Sequence, residues 1–178
     1  MNVRAACVAR RRWLRHVGSC AVGASLAGCG FRLRQPPNLV YRRIALIGFE
    51  ARSPMAEALR AALPADIAVQ DTPAGAEVVI TVLQDRYYRT VAASTTAGQV
   101  RELQLRVLLR YRLTTPEGHM LVSDTQLEQT RNLSYSESWA LAKSTEETAL
   151  AREMRNDIAA QLLRVLDTTS RQSQIPPP

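Results

Sequence analysis

The hydrophobic positions of this chain change period several times, and each change marks an element. The clearest signal lies in the middle: Leu103, Leu105, Val107, Leu109, Tyr111 and Leu113 alternate with Glu102, Gln104, Arg106, Leu108, Arg110 and Arg112. A period of two predicts a strand with one face in a core and the other wet. Upstream, Arg43-Ile44-Ala45-Leu46-Ile47-Gly48-Phe49 is a short apolar run suited to a buried strand, and a further strand is predicted over residues 77–88, with Val78, Ile80 and Val82 on one face and Val79, Thr81 and Leu83 on the other. Between these two, Ser53 is placed to cap a helix with Pro54 at its first position and Glu57 in its first turn. Met55, Leu59, Ala62 and Leu63 form its apolar stripe, and Pro64 ends it.

Downstream of the alternating strand, Thr115-Pro116-Glu117-Gly118 is a turn that predicts antiparallel pairing with a strand over residues 119–132. That strand is polar beyond Val122, a composition that suits a sheet edge or a hydrated surface. The last element is helical. Ser144-Thr145-Glu146-Glu147 has the form of a capping box, and Leu150, Met154, Ile158, Leu162 and Val165 recur at three- and four-residue spacing. Whether Trp139-Ala140-Leu141-Ala142-Lys143 extends this helix upstream or forms a separate turn is left open by the pattern. The order β-α-β-β-β-α predicts an α+β two-layer sandwich: about four strands, mostly antiparallel, with two helices on one face.

Charge alters the picture mainly at the N-terminus. The 178 residues carry 23 Lys+Arg and 16 Asp+Glu, a net of +7. Arg4, Arg10, Arg11, Arg12 and Arg15 lie within residues 1–28, which hold no carboxylate, so residues 29–178 carry 18 basic and 16 acidic side chains, a net of only +2. So small an excess offers little counterion release, and nucleic acid is not an expected partner. Residues 1–28 have the arginine-rich, weakly apolar and small-residue regions of an export signal. Their apolar stretch, Val17 to Leu26, is far below the roughly 20 residues a membrane-spanning helix needs. Leu26-Ala27-Gly28-Cys29 resembles the lipobox of bacterial lipoproteins, which implies removal of residues 1–28 and lipidation of Cys29. By resemblance to lipoprotein sorting, Gly30 in place of Asp implies the outer membrane. Cys7 and Cys20 would leave with the leader, so neither a disulfide nor cysteine-ligated metal is expected in the mature chain. The expected organisation is a signal peptide over 1–28, a lipidated tether over 29–38, one domain over 39–167 and a disordered Pro-rich tail over 168–178.

Catalytic inventories are poor. A Ser-His-Asp arrangement would rest on His119, one residue past a turn glycine, and the eight glycines form no phosphate loop. No cofactor or catalytic residue is expected. Arg86-Tyr87-Tyr88-Arg89 reads either as an aromatic-cationic patch at a strand end or as a sheet rim. Arg106, Arg110 and Arg112 share one predicted face, with Arg101 nearby. Such a row is either a solvated face or a binding surface for phosphate or carboxylate.

Cys29-Gly30-Phe31-Arg32-Leu33-Arg34, the segment Arg131-Asn132-Leu133-Ser134-Tyr135, and Leu141-Ala142-Lys143 with Glu146-Glu147, Leu150, Met154-Arg155-Asn156-Asp157 and Leu162-Leu163 together resemble the lipopolysaccharide-assembly lipoprotein family LptE. Gln35 and two prolines depart from the family's expected glycine. The resemblance implies a non-enzymatic, lipid-anchored outer-membrane protein that helps to fold and partly plugs the LptD β-barrel while lipopolysaccharide passes to the outer leaflet. Arg101, Arg106, Arg110 and Arg112 are then candidate contacts to lipopolysaccharide or to the barrel. A different class of reading remains: a free periplasm-facing lipoprotein that binds or activates a cell-wall enzyme or holds a small ligand, for which a concave pocket with convergent polar groups is expected.

Overall fold

Ser53 organises the first turn of the structure. Its hydroxyl accepts hydrogen bonds from the backbone N–H groups of Met55 (3.2 Å) and Ala56 (3.1 Å), capping a helix that starts at Pro54. The computed structural model describes residues 39–136 and 140–172. Cys29, the leader, the tether, Trp139 and the terminal prolines lie outside the described residues. The elements are β1 (Arg43–Ile47), α1 (Pro54–Ala62), β2 (Ala68–Gln70), β3 (Val78–Ser94), β4 (Val100–Thr114), β5 (Met120–Ser134) and α2 (Ala140–Gln172).

The strands form one five-stranded sheet in the order β2-β1-β3-β4-β5. The fold is α+β with two helices, but the expected count of four strands is corrected by β2, three residues with only Val69 and Gln70 half-covered. The sheet is also mixed rather than mostly antiparallel. β1 runs parallel to both β2 and β3 because α1 and the 71–77 segment are crossover connections, whereas β3–β4 and β4–β5 are antiparallel hairpin pairs. The polar strand β5 does occupy an edge. Its turn follows the predicted chemistry: Thr115 N–H donates to the His119 carbonyl at 2.8 Å, Gly118 N–H donates to the Thr115 carbonyl at 3.0 Å, and Gly118 takes φ +93°.

Both helices bury their stripes in one apolar cluster on one sheet face. Met55 and Leu59 of α1 and Met154, Ile158, Leu162 and Leu166 of α2 share it with Ile44, Leu46, Val78, Ile80 and the β4 row from Leu103 to Leu113. Ala56 is buried in place of the expected Ala62, which is exposed. In β3 the alternation breaks at Leu83, where the register with β4 shifts between Val82 and Gln84. This bulge puts Asp85, Tyr87, Arg89 and Val91 on the helix side, and β3 continues to Ser94, six residues past its predicted end.

Helix α2 takes in residues 140–143, the upstream extension that the pattern left open, and also runs past its predicted C-terminal end. It is already helical at Ala140, so Ser144 is no cap; its hydroxyl donates back to the Leu141 carbonyl at 2.7 Å. At the other end the helix continues past residue 167 to Gln172. The hydroxyls of Thr168, Thr169 and Ser170 donate to the carbonyls of Arg164, Val165 and Asp167, Arg171 pairs with Asp167 at 2.8 Å, and Thr169 and Ser170 are buried.

The cap supplies a measurable contribution. Ser53 Oγ also donates to Asp85 Oδ2 at 2.6 Å, tying α1 to β3. Ser53→Ala is expected to cost about 1–2 kcal/mol, read as a lower urea midpoint at unchanged m. Ser53→Asp, an equally good cap in an isolated helix, is not expected to recover the loss, because its carboxylate would face that of Asp85; full recovery would show that the Asp85 contact is unimportant.

Candidate functional site

The sheet face away from the helices is covered at its β1 end, where Ala76 packs over Ala45 and Val79, but has no second layer over β3 to β5 beyond that among the described residues, and there β4 supplies the central row. Register places Gln84 opposite Arg110, Arg86 opposite Leu108 and Tyr88 opposite Arg106 on the β3 side, with Gln126, Glu128 and Thr130 opposite the same residues on the β5 side. Leu108 is buried although it stands on this face, so the aliphatic parts of its polar neighbours must close over it.

The three arginines of the row are all paired, against two carboxylates. Arg106 lies over the Tyr88 ring, 4.8 Å from its centroid, with Nη1 3.7 Å from Glu128 Oε1. Arg110 Nη2 is 3.3 Å from Asp124 Oδ2 and Arg112 Nε is 2.9 Å from Asp124 Oδ1, so a single carboxylate bridges two guanidiniums. Partial desolvation of Asp124 opposes its ionisation, but the hydrogen bonds and charges of Arg110 and Arg112 outweigh it and hold its carboxyl below the usual range. Arg86 pairs with Glu50 at 3.1 Å. All these groups are solvent-accessible, so the pairs contribute little to stability. Their main effect is to reduce a positive field to a surface of small net charge dense in donors and acceptors.

Arg101 does not join this row. It stands one step out of alternation, beside the register shift between Ala93 and Ser94, about 17 Å along the strand from Arg106. Its carbonyl accepts from Tyr135 N–H at 2.8 Å, and its guanidinium has no ion pair among the described residues.

The Arg86–Arg89 run is divided rather than gathered, and it sits in mid-strand rather than at a strand end. Arg86 and Tyr88 lie on the open face, whereas Tyr87 and Arg89 face α2. Tyr87 donates to Glu147 Oε1 at 2.7 Å, Arg89 Nε donates to Glu147 Oε2 at 3.1 Å, and Arg155 lies 5.6 Å from the Tyr87 ring centroid. Burial first, then the hydrogen bond to Glu147 and its charge, push the Tyr87 phenol far above its ordinary range. Nothing local in the sequence marks Glu147 as the partner of residues some sixty positions away. The Asp124 bridge had half a signal: extending the 115–118 hairpin register from its turn brings residue 124 opposite Arg110, and two register shifts between Tyr111 and Thr114 then bring it within reach of Arg112 as well.

A cleft of about 350 Å³ opens at the carboxyl ends of β1 and β2, lined by Gly48, Phe49, Glu50, Glu57, Arg60 and Asp71 among others. Three of its charged groups are already paired, Arg60 with Asp71 at 2.8 Å and Glu50 with Arg86. His119 is an exposed turn residue. Among the described residues no His/Cys/Asp/Glu group could hold a metal ion, and no helix is long and apolar enough to cross a membrane.

Comparison with known proteins places this architecture. A model of the LptE family, described as lipopolysaccharide-assembly, matches residues 41–166. Among solved structures, an uncharacterized lipoprotein B from Nitrosomonas europaea is similar at 23% identity, over 82% of this chain and 94% of that one, with a TM-score of 0.65. The rare lipoprotein B from Shewanella oneidensis is similar at 20% identity, over 75% and 99%, with a TM-score of 0.62. A minor lipoprotein from Acinetobacter baumannii follows at 17% identity, over 73% and 93%, with a TM-score of 0.58. These likenesses establish the shared fold. No curated protein matches the chain.

Proposed function

Because the chain belongs to the LptE lipopolysaccharide-assembly family, we propose that it is a non-enzymatic outer-membrane lipoprotein, anchored through lipid on Cys29, that seats in and plugs the LptD β-barrel and assists delivery of lipopolysaccharide to the outer leaflet. The observation that carries the reading is the open sheet face. A domain whose sheet, among the described residues, is open over β3 to β5 on one side, and lines that side with largely paired charges, is suited to polar and hydrated surroundings. Large outer-membrane barrels provide them, since their lumens are polar and some are plugged by a domain. A paired guanidinium can exchange its carboxylate for one from a lumen wall at little net cost, so Arg106, Arg110 and Arg112 serve as barrel contacts. Arg101, free of an ion pair among the described residues, is the one available to a lipopolysaccharide phosphate.

The test is extraction from membranes in mild detergent. The chain is expected to copurify with a large β-barrel in stoichiometric yield, and recovery of the chain alone would overturn the reading. Arg110→Glu with Arg112→Glu, which would set three carboxylates against one another around Asp124, is expected to lower that yield at least several-fold. In the same fractionation Cys29→Ala is expected to leave the membrane pellet or to retain its leader; unchanged processing and sedimentation would remove the anchor from the proposal.

A further inference from the structure

Helix α2 is continuous in backbone but divided in what holds it. From Ala151 to Leu166 it buries Ala151, Met154, Ile158, Ala159, Leu162, Leu163 and Leu166. From Leu141 to Ala149 it buries nothing, and Leu141 is 85% exposed. The inward positions that continue the Leu150–Met154 stripe toward the N-terminus are Glu147 and Lys143, whose side chains are shielded to 20% and 24% accessibility. A polar group thus stands where the rest of the helix places an apolar one.

The local sequence adds little helix stability of its own. Ser144, Thr145 and Thr148 are weak helix formers whose hydroxyls bond back to the carbonyls of Leu141, Leu141 and Ser144. Lys143 is turned along the helix, onto Glu146 at 2.7 Å, rather than to the sheet. Glu147 links this segment to the strands, receiving Tyr87 and Arg89 of β3 on its two oxygens.

We propose that residues 140–149 form a lever latched to β3 by Glu147, opening and closing as a unit while Leu150, which packs against the core, and Met154–Leu166 stay docked. Arg155 remains on the Tyr87 ring from the docked side of the hinge, so the pivot lies just before Leu150. Opening releases the Tyr87 hydroxyl and the Arg89 guanidinium from Glu147, changing the surface of the β3–β4 end without unfolding the protein. The inference does not depend on the barrel reading.

Hydrogen exchange of the full chain in detergent tests it. In the wild type, amides 142–149 are expected to exchange by an opening insensitive to low guanidinium, and amides 155–166 only by global unfolding. Glu147→Ala is expected to raise exchange over 142–149 about tenfold or more while changing 155–166 less than twofold. Arg89→Ala and Tyr87→Phe should each reproduce part of the rise. An equal rise across both halves, including outright unfolding of Glu147→Ala, would overturn the lever, and so would an unchanged rate over 142–149.

Discussion

Replacing Gly48 by alanine is expected to be among the most damaging single-methyl changes in the protein. Gly48 follows the last residue of β1 with φ +88°, a region where an L side chain meets its own backbone. A Cβ there would stand 2.3 Å from the Val82 carbonyl oxygen and 3.3 Å from the Val82 carbonyl carbon and amide nitrogen. Those obstructing atoms are backbone and cannot rotate away. They belong to β3 at the edge of its bulge, where Val82 is buried in the core, so relief requires β1 and β3 to separate. Left-handed strain of about 1–2 kcal/mol is thus compounded by lost strand packing. A total of at least about 3 kcal/mol is expected, seen as a fall in Tm of roughly 10 °C or more. Gly118→Ala is the control: its φ is +93° but a Cβ there meets nothing within 4 Å, so only the strain is incurred. Equal losses at the two sites would show that the Val82 contact carries no weight.

The same region explains which parts of the fold were legible in the sequence. The β4 alternation was readable because one face is uniformly apolar and the other uniformly polar, and Leu108, the exception, is covered by its neighbours. The stripes of α1 and α2 were readable for the same reason. What escaped was set by contacts distant in sequence. Three residues, Ala68–Gln70, are too few to show any period, and their strand identity depends on β1 lying beside them. The parallel pairing of β1 follows from where the connections cross and not from composition. The Leu83 bulge reverses which side of β3 faces the helices, and so turns Tyr87 rather than Tyr88 toward α2, while strand alternation itself divides the apparent patch. Ser144 has the composition of a cap but sits inside a helix, since Ser and Thr serve either end or interior according to what precedes them.

The candidate site divides along the same line. Alternation alone placed Arg106, Arg110 and Arg112 on one face and their edge strand beside them. The same period sets Arg101, five positions from Arg106, out of the row, while the register shift beside it near Ala93 is a property of the pair of strands. Alternation did not assign the carboxylates of β5 as partners, which changes the meaning of the row from an unpaired positive patch to a paired one of small net charge.

Truncating Ile158 is expected to produce the second large loss, and to show where α2 is held. Ile158 is fully buried, one helical turn from Met154 and one from Leu162, both also fully buried, within the cluster that joins α2 to α1 and β4. Ile158→Ala removes apolar volume from a site whose neighbours lie on three separate elements and cannot all collapse inward, so transfer and cavity costs add. About 2–5 kcal/mol is expected, measured by urea denaturation. Leu141→Ala, at the other end of the same helix, is expected to stay within about 0.5 kcal/mol of wild type. Helix propensity barely distinguishes Ile from Leu on this scale, so the contrast isolates packing. If the two substitutions destabilise alike, α2 is held along its whole length; a loss at Ile158 several times that at Leu141 places its anchorage in the C-terminal half, where the amphipathic stripe meets the sheet.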